Sequence, residues 1–326
     1  MAIAARDIVL HDGVRLEVVE SAGKALHREM DPRLRGGDGG KRGDDGGKHR
    51  DGGLEVSSFP RKRESIPLLL LHGFTGAAST WSELLPEFGA RRRAIALSLH
   101  GHGGSDAPDD PARYAATRAA ADVLEVLDML GIARVALLGY SMGARVALHT
   151  ALAAPERVGA LILESGSPGI ADDAERAERR AADDALAMDI EHHGVEAFVD
   201  RWERLPLWES QRQLAPSIRE GLRAQRLAGR ARGLANSLRG LGAGATAPLH
   251  GKLGELRDAP VLLICGALDA KYVELAREMS EALPRSTMHV VEGAGHAVHL
   301  ERPHELLGAV DEFLMEVESA SPSGVT

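Results

Sequence analysis

The sequence predicts an α/β protein in which a mostly parallel central sheet is flanked by helices. Three observations predict this class. Short apolar segments alternate with helical segments between residues 66 and 317, and strands that alternate with helices pair in parallel. A glycine-bounded turn joins an apolar segment to a helical one at residues 139–143. The 326 residues include 44% hydrophobic side chains, enough to bury a sizeable core.

The N-terminal part of the chain predicts a hairpin followed by an insertion. Residues 7–21 alternate apolar and polar side chains on both sides of the turn His11-Asp12-Gly13, which is typical of two antiparallel strands. Residues 25–65 are rich in Gly, Asp, Arg and Lys, and such a composition buries too little surface to offset its ordering entropy. Because the charges are mixed, we expect a solvated, disordered insertion rather than a nucleic-acid-binding arm.

Apolar runs and helical spacing predict the remaining elements. Strands are expected at residues 66–71, 94–97, 135–138, 160–164, 261–265 and 288–291. Helices are expected at residues 80–88, 114–130, 274–282 and 303–317. Between residues 170 and 257 no strand pattern occurs, and the sequence is helical, Arg-rich and contains Trp. An excursion of this length after the sixth strand predicts a helical cap over the site.

These elements give a domain organisation with a discontinuous core. We expect a core of residues 1–24, 66–169 and 258–318, a disordered insertion at 25–65, a helical cap at 170–257 and a disordered tail at 319–326.

Composition narrows the possible partners and compartment. The net charge of -9 argues against general nucleic-acid binding. Cys265 is the single cysteine and lies in an apolar run, which predicts a buried structural thiol and no disulfide. The N-terminus has no long apolar segment, and no run approaches the ~18 apolar residues of a membrane-spanning helix. We therefore expect a cytoplasmic protein without a membrane partner, and the sequence leaves its oligomeric state open.

The glycine-rich segments favour turns over cofactor sites. His100 and His102 lie two residues apart without a third ligand at a suitable spacing, so a tight glycine turn is favoured over a metal site. The glycines at 240, 242 and 244 do not follow a strand and therefore do not form a dinucleotide motif. We expect neither a metal nor a cofactor.

A catalytic triad is predicted from three residues that each follow a strand. Ser141 lies in the sequence Gly139-Tyr140-Ser141-Met142-Gly143, which forms a sharp strand-to-helix turn, the nucleophile elbow. Asp269 follows the strand at 261–265, and His296 follows the strand at 288–291. Taken singly, each residue could belong to an ordinary turn or loop. The order serine, acid, histidine at strand ends favours a triad.

The predicted roles follow from the chemistry of a serine nucleophile. Asp269 would orient His296 and stabilise its cationic form, and His296 would take the proton from Ser141. The backbone N–H groups of Phe74 and Met142 would form an oxyanion hole.

The chain resembles the α/β-hydrolase-fold superfamily from the hairpin to the last helix, leaving out the insertion. Within it, the chain resembles the 2-succinyl-6-hydroxy-2,4-cyclohexadiene-1-carboxylate synthases of menaquinone biosynthesis. The segments that carry this resemblance are GYSMGAR, ESGSPG, ERAERRAADD, FVDRWERLPLW, RLAGRARGLANSLRGLGAG, LDAKY and AGHAVHLERP. Most of them lie in the predicted cap or beside the triad.

This resemblance implies a lyase that uses the parts of a hydrolase. The reaction would be a base-initiated elimination of pyruvate from 2-succinyl-5-enolpyruvyl-6-hydroxy-3-cyclohexene-1-carboxylate, without an acyl-enzyme. The substrate is a small polyanion, and the residues carried over to bind it are Arg145, Arg179 and Arg226, with Tyr140 and Trp202 shaping the pocket. Guanidinium groups suit this task because they pair with carboxylates in a bidentate manner.

Several alternatives remain open from the sequence. Arg223 competes with Arg226 for the same role, and any of these arginines could instead belong to an exposed helix face. The same triad could serve a hydrolase of esters or of carbon-carbon bonds in ring-cleavage products, and a non-catalytic binding protein could share the fold. The chain also departs from the family pattern, since Ser98-Leu99-His100-Gly101-His102-Gly103 replaces Asp-x-Pro-Gly-His-Gly and Ala144 replaces a glycine.

Deleting residues 29–58 should leave the melting temperature and the activity nearly unchanged. The segment is predicted to bury little surface, and changing the length of a long surface loop alters its closure entropy only slightly. The check is thermal unfolding and turnover of the deletion variant beside the full chain. A loss of several degrees or of most turnover would show that the segment packs on the domain.

Overall fold

The computed structural model describes residues 3–21 and 65–320. The predictions of disorder for the 25–65 insertion and for most of the 319–326 tail therefore concern residues outside the described ranges. Residues 319 and 320 belong to the last helix.

A single eight-stranded sheet forms the centre of the molecule. Its strands are β1 (Ile3–Val9), β2 (Arg15–Ser21), β3 (Leu68–Leu71), β4 (Ala94–Leu97), β5 (Val135–Tyr140), β6 (Val158–Glu164), β7 (Val261–Gly266) and β8 (Ser286–Val291). The strand order is β1-β2-β4-β3-β5-β6-β7-β8. β2 pairs antiparallel with β1 and with β4, and all other pairs are parallel. The predicted α/β class and mostly parallel sheet are confirmed.

Helices cover both faces of this sheet. The helices outside the cap are α1 (Leu85–Gly89), α2 (Ala116–Met129), α3 (Met142–Ala153), α7 (Ala270–Ala282), α8 (Val298–Glu301) and α9 (Pro303–Ala320). Side chains of α2, α3 and α7 pack in one core cluster, and side chains of α1 and α9 pack in another. Successive leucines of β3 alternate between the two clusters, as the period of two in a strand requires. This explains why β3 is a continuous apolar run.

The cap consists of three helices between β6 and β7. They are α4 (Asp173–Trp202), α5 (Pro216–Leu227) and α6 (Ala231–Leu241). Gly194 interrupts the helical geometry of α4 with φ 81° and ψ 172°, so the helix changes direction there. After this kink, the rings of Phe198 and Trp202 pack against Phe74 of the core, at centroid distances of 6.1 and 5.5 Å. The kink thereby brings the end of α4 over the carboxyl ends of the strands.

The strand register shows where the first described segment ends and where the second begins. Near the end of β2, Glu20 pairs with Ile95 of β4. β3 begins at Leu68, which pairs with Ala94. Residue 21 and residue 65 therefore both lie near the amino ends of the parallel strands.

Two further sequence expectations concern Cys265 and membranes. Cys265 is fully buried in β7, and burial raises the pKa of its thiol to about 11, which keeps it protonated and unreactive. Within residues 3–21 and 65–320, no helix combines the length and the apolar character needed to cross a bilayer.

Three buried histidines support the loops that follow β3 and β4. His72 donates from Nδ1 to the Gly73 carbonyl at 2.7 Å and accepts the Leu99 N–H at Nε2 at 3.0 Å. Burial lowers the pKa of His72 to about 3, of His100 to about 3 and of His102 to about 4. These rings are therefore neutral packing and hydrogen-bonding groups.

No group of three metal-ligating side chains occurs among the described residues.

The free energy of unfolding should fall as the pH is lowered from about 6.5, the usual histidine pKa, to about 4. Since the folded-state pKa values lie below the unfolded value, the unfolded state binds more protons in this window. Acid therefore stabilises the unfolded state relative to the folded state. Each histidine contributes up to about 1.4 kcal/mol per pH unit. Urea midpoints at pH 7.5, 6 and 5 measure the slope.

A pair of variants isolates this effect from the carboxylates. His102→Gln removes one buried titrating ring and should reduce the slope, whereas His192→Gln alters an exposed ring and should not. Equal slopes in the two variants would contradict a buried neutral His102.

Candidate active site

The elbow at the end of β5 places Ser141 in a strained backbone conformation. Its φ of 51° and ψ of -105° are rare for a residue with a side chain. Glycines are required on both sides because the chain passes very close to other backbone. A Cβ on Gly139 would lie 2.4 Å from the Gly143 carbonyl oxygen, and a Cβ on Gly143 would lie 2.4 Å from the Leu71 carbonyl oxygen. The turn therefore exposes the serine hydroxyl above the sheet.

The structure brings Ser141, His296 and Asp269 into one hydrogen-bonded chain. His296 Nε2 lies 3.0 Å from Ser141 Oγ, and His296 Nδ1 lies 2.7 Å from Asp269 Oδ2. Asp269 follows β7 and His296 follows β8, so all three meet at the carboxyl edge of the sheet. Tyr272 packs edge-on against the His296 ring at 4.5 Å. Contacts of this kind fix the orientation of an imidazole base.

Two residues that sequence reasoning missed hold the His296 loop. The Ser165 hydroxyl donates to the His296 carbonyl oxygen at 2.8 Å. The buried Glu301 accepts the Gly295 N–H at 2.7 Å. Ser165 itself has φ 47°, a conformation that marks a position constrained by its surroundings. That backbone angle is a property of the folded chain, and the sequence carries no signal for it.

Tyr140 rests on a second pair of buried polar residues that the sequence did not reveal. Glu164 accepts both the backbone N–H of His299 at 2.9 Å and its Nδ1–H at 2.8 Å. The Tyr140 ring packs edge-on against His299 at 4.5 Å and faces His296 at 5.5 Å. Burial raises the pKa of the Tyr140 hydroxyl well above its usual value, so Tyr140 stays protonated.

Ser141 opens into a cavity of about 210 Å³ under the cap, called here the inner cavity. Eight of the residues predicted from the sequence line it: Phe74, Tyr140, Ser141, Met142, Arg145, Arg179, Trp202 and His296. Asp269 lies behind His296 and does not line it. Met142 is the first residue of α3, so its N–H has no acceptor one turn earlier within the helix. The oxyanion-hole role of Phe74 and Met142 remains a prediction.

Arg145, Arg179 and Lys271 are the cationic side chains that line this cavity. Arg145 donates to the Leu241 carbonyl oxygen at 2.8 Å, while its Nε is buried without a partner. Burial lowers the pKa of the Arg145 guanidinium from its usual value, yet the group stays charged near neutral pH. Arg179 donates from Nε to Asp183 at 2.8 Å. Arg145 has no carboxylate partner among the described residues.

Arg226 does not line the inner cavity, but it lines a small neighbouring cavity of about 30 Å³ together with Phe74, Tyr140 and Trp208. Its guanidinium donates to Glu203 at 3.0 Å and to Gln211 at 3.1 Å. Arg223 pairs with Asp200 and Glu203 and lines neither of these cavities. The substrate-binding role of Arg226 remains a prediction.

The segment after β4 departs from the family sequence pattern, and local hydrogen bonds explain how its turn is held. Ser98 stands where the family has an aspartate, and its hydroxyl accepts the Ala78 N–H at 2.8 Å. The same hydroxyl donates to Glu17 at 2.7 Å, and Glu17 also accepts the Gly104 N–H at 3.0 Å. A serine together with Glu17 of the hairpin thus anchors the turn.

Comparison with known proteins agrees with this geometry. The model of the alpha/beta hydrolase fold family matches residues 66–303. This chain belongs to the α/β-hydrolase-fold family. The family resemblance inferred from the sequence is confirmed.

Several relatives of the chain are named as synthases of one kind. A putative 2-succinyl-6-hydroxy-2,4-cyclohexadiene-1-carboxylate synthase of Bacillus subtilis is 43% identical over 261 residues, 79% of this chain and 93% of that protein. A synthase of the same name from Klebsiella pneumoniae is 31% identical over 247 residues, covering 76% and 93% of the two chains. The structure of MenH from S. aureus superposes with a TM-score of 0.76 at 33% identity and covers 79% of this chain and 96% of that one.

Gly143→Ala should destabilise the protein and remove activity together. The added Cβ would overlap the carbonyl oxygens of Leu71 and His72 at 2.4 and 2.7 Å, and overpacking against backbone should cost about 3 kcal/mol or more. We expect the melting temperature to fall by roughly 10 °C.

Gly221→Ala is the matched control for this variant. Its Cβ would meet nothing within 4 Å, and an alanine in a helix interior should stabilise by about 0.5–1 kcal/mol. A Gly143→Ala protein as stable as Gly221→Ala would contradict the close approach at the elbow.

Proposed function

We propose that this protein is a carbon-oxygen lyase of menaquinone biosynthesis that eliminates pyruvate from 2-succinyl-5-enolpyruvyl-6-hydroxy-3-cyclohexene-1-carboxylate. The observation that carries this proposal is the hydrogen-bonded chain of Ser141, His296 and Asp269 beside Arg145 in one cavity. A base and an unpaired buried cation suit proton removal from an anionic substrate. The names of the relatives support the same reaction.

The difference between substrate and product defines the chemistry. The substrate has one ring double bond at C3, whereas the product 2,4-diene has double bonds at C2 and C4. Conversion therefore breaks the C2–H bond, shifts the ring double bond toward C5 and breaks the C5–O bond to the enolpyruvyl group. The leaving enolpyruvate takes up a proton and becomes pyruvate. Only pyruvate is lost, so the reaction needs neither an oxidant nor a reductant.

Ser141 and His296 can act as the base for the C2 proton. His296 accepts the Ser141 proton at Nε2, and Asp269 stabilises the imidazolium through Nδ1. The negative charge that develops passes to the succinyl carbonyl oxygen, which is conjugated with C2. Phe74 and Met142 line the cavity, and their N–H groups would donate to this oxygen. No acyl-enzyme is required.

Arg145 and Arg179 would hold the carboxylates of the substrate. The substrate carries a ring carboxylate, a succinyl carboxylate and an enolpyruvyl carboxylate. A cavity with two guanidinium groups fixes such a polyanion better than a neutral ester, because charge-assisted hydrogen bonds are the stronger ones. A cytoplasmic location and the absence of nucleic-acid and membrane partners remain predictions.

A hydrolase is the competing function, since the same triad can attack an ester. The experiment that separates the two measures pyruvate release from the enolpyruvyl substrate beside hydrolysis of p-nitrophenyl acetate. We expect the first reaction to have the much larger kcat/KM. Faster ester hydrolysis would establish the hydrolase instead.

Arg145→Ala should cost the pyruvate reaction ~2 to 5 kcal/mol, equal to a roughly thirty-fold to several-thousand-fold loss of kcat/KM. Arg179→Ala should lose less, because its side chain is 47% exposed and already paired with Asp183. Hydrolysis of p-nitrophenyl acetate should change little in either variant, because a neutral ester offers the guanidinium no charge. Ser141→Ala should depress both reactions.

Arg277→Ala serves as the control, since this arginine of α7 is 62% exposed and pairs with Glu274. It should leave both reactions unchanged. If Arg145→Ala lowered the two reactions equally, Arg145 would support the elbow rather than the substrate.

A further inference from the structure

A second cavity adjoins the triad at Asp269 and His296. This outer cavity has a volume of about 550 Å³ and lies between the cap segment 206–213 and the loop after β7. It shares Leu207, Lys271, Tyr272 and His296 with the inner cavity. The catalytic imidazole thus lies where the two cavities meet. A substrate that reacts at His296 can therefore extend in both directions.

Lys271 is the side chain at this junction that carries a free charge. It lies in the first turn of α7, two residues after Asp269. Among the residues that the structure describes, no carboxylate pairs with the Lys271 ammonium. Of the other charged groups of the outer cavity, Arg212 pairs with Glu209, and the Asp269 carboxylate is hydrogen-bonded to His296 Nδ1.

We propose that the outer cavity is a carboxylate subsite in which Lys271 binds one arm of the substrate. The inference rests on the proposed function, because it assigns a place to a polyanion whose reacting carbon lies beside Ser141. Arg145 and Arg179 bind the carboxylates in the inner cavity. Lys271 binds the carboxylate that extends past His296 into the outer cavity.

The positions of the cations support this assignment. Arg145, Arg179 and Lys271 are the cationic side chains that line the inner cavity, and of these Lys271 alone also lines the outer cavity. The substrate has three carboxylates, and Arg145 and Arg179 can pair with two of them. Lys271 can pair with the third, because its ammonium has no ion pair to break among the described residues.

The ordinary alternative is that Lys271 is a solvated surface lysine. The side chain is exposed, and many exposed charges contribute nothing measurable. The two interpretations differ in what happens when the charge is removed. A subsite lysine affects the binding of a dicarboxylate, and a solvated lysine does not.

The experiment compares Lys271→Gln with Lys252→Gln and Lys271→Arg. Lys252 is exposed and lies in the 3₁₀ turn His250–Glu255, outside both cavities, so its substitution makes the same charge change elsewhere. We expect Lys271→Gln to raise KM for the enolpyruvyl substrate about tenfold, with kcat changed less than about threefold, on the scale of one lost charge-assisted hydrogen bond. Lys271→Arg should keep most of the affinity.

A binding measurement separates this inference from the proposed function. Calorimetry with 2-succinylbenzoate, an aromatic dicarboxylate that carries the same two arms as the synthase product, needs no turnover. We expect Lys271→Gln to weaken its Kd about tenfold and to reduce the salt dependence of binding, because an exposed charge is screened. If the wild type binds this compound through Lys271 but releases no pyruvate, the proposed function fails and the subsite stands. If Lys271→Gln behaves like Lys252→Gln in both measurements, the subsite is overturned.

Discussion

The close contact between the elbow and β3 is the constraint on which the site depends. Gly143 lies so near the carbonyl oxygens of Leu71 and His72 that no side chain fits, and Ser141 is held at a positive φ as a result. The energy for this strain comes from the buried leucines of β3 and the apolar residues of β5, which pack on both faces of the sheet. A fully covered parallel sheet is therefore what allows one serine to be presented in an otherwise unfavourable conformation.

The arginines near the site differ in their partners. Arg223 and Arg226 pair with carboxylates of the cap and hold α5 against the end of α4. Arg145, in contrast, lies on the core helix that begins beside the nucleophile, and its only protein acceptor among the described residues is a carbonyl group. Burying a cation without a carboxylate is unfavourable. Under the proposed function, the anionic substrate would compensate this charge on binding.

Much of the fold and the triad could be predicted from the sequence because both rest on local patterns. β4 was predicted at its observed bounds, since four buried apolar residues follow an arginine-rich turn. Asp269 and His296 could be predicted because each follows a strand, and parallel strands end at the same edge. Ser165 and Glu301 could not, since their importance arises from bonds to the His296 loop that form only in the folded chain. The pairing of Arg226 with Glu203 could not be predicted either, because helical spacing does not reveal which carboxylate faces an arginine.

The two ends of the parallel strands carry different parts of the chain. The chain leaves β2 and re-enters β3 where the parallel strands begin, while Ser141, Asp269 and His296 lie where such strands end. The length of β3, four residues, alone separates these two ends by roughly 13 Å. The described residues that flank this part of the chain, 21 and 65, therefore lie at the opposite end of the parallel strands from the triad. The chain departs from the sheet, and returns to it, at a distance from Ser141.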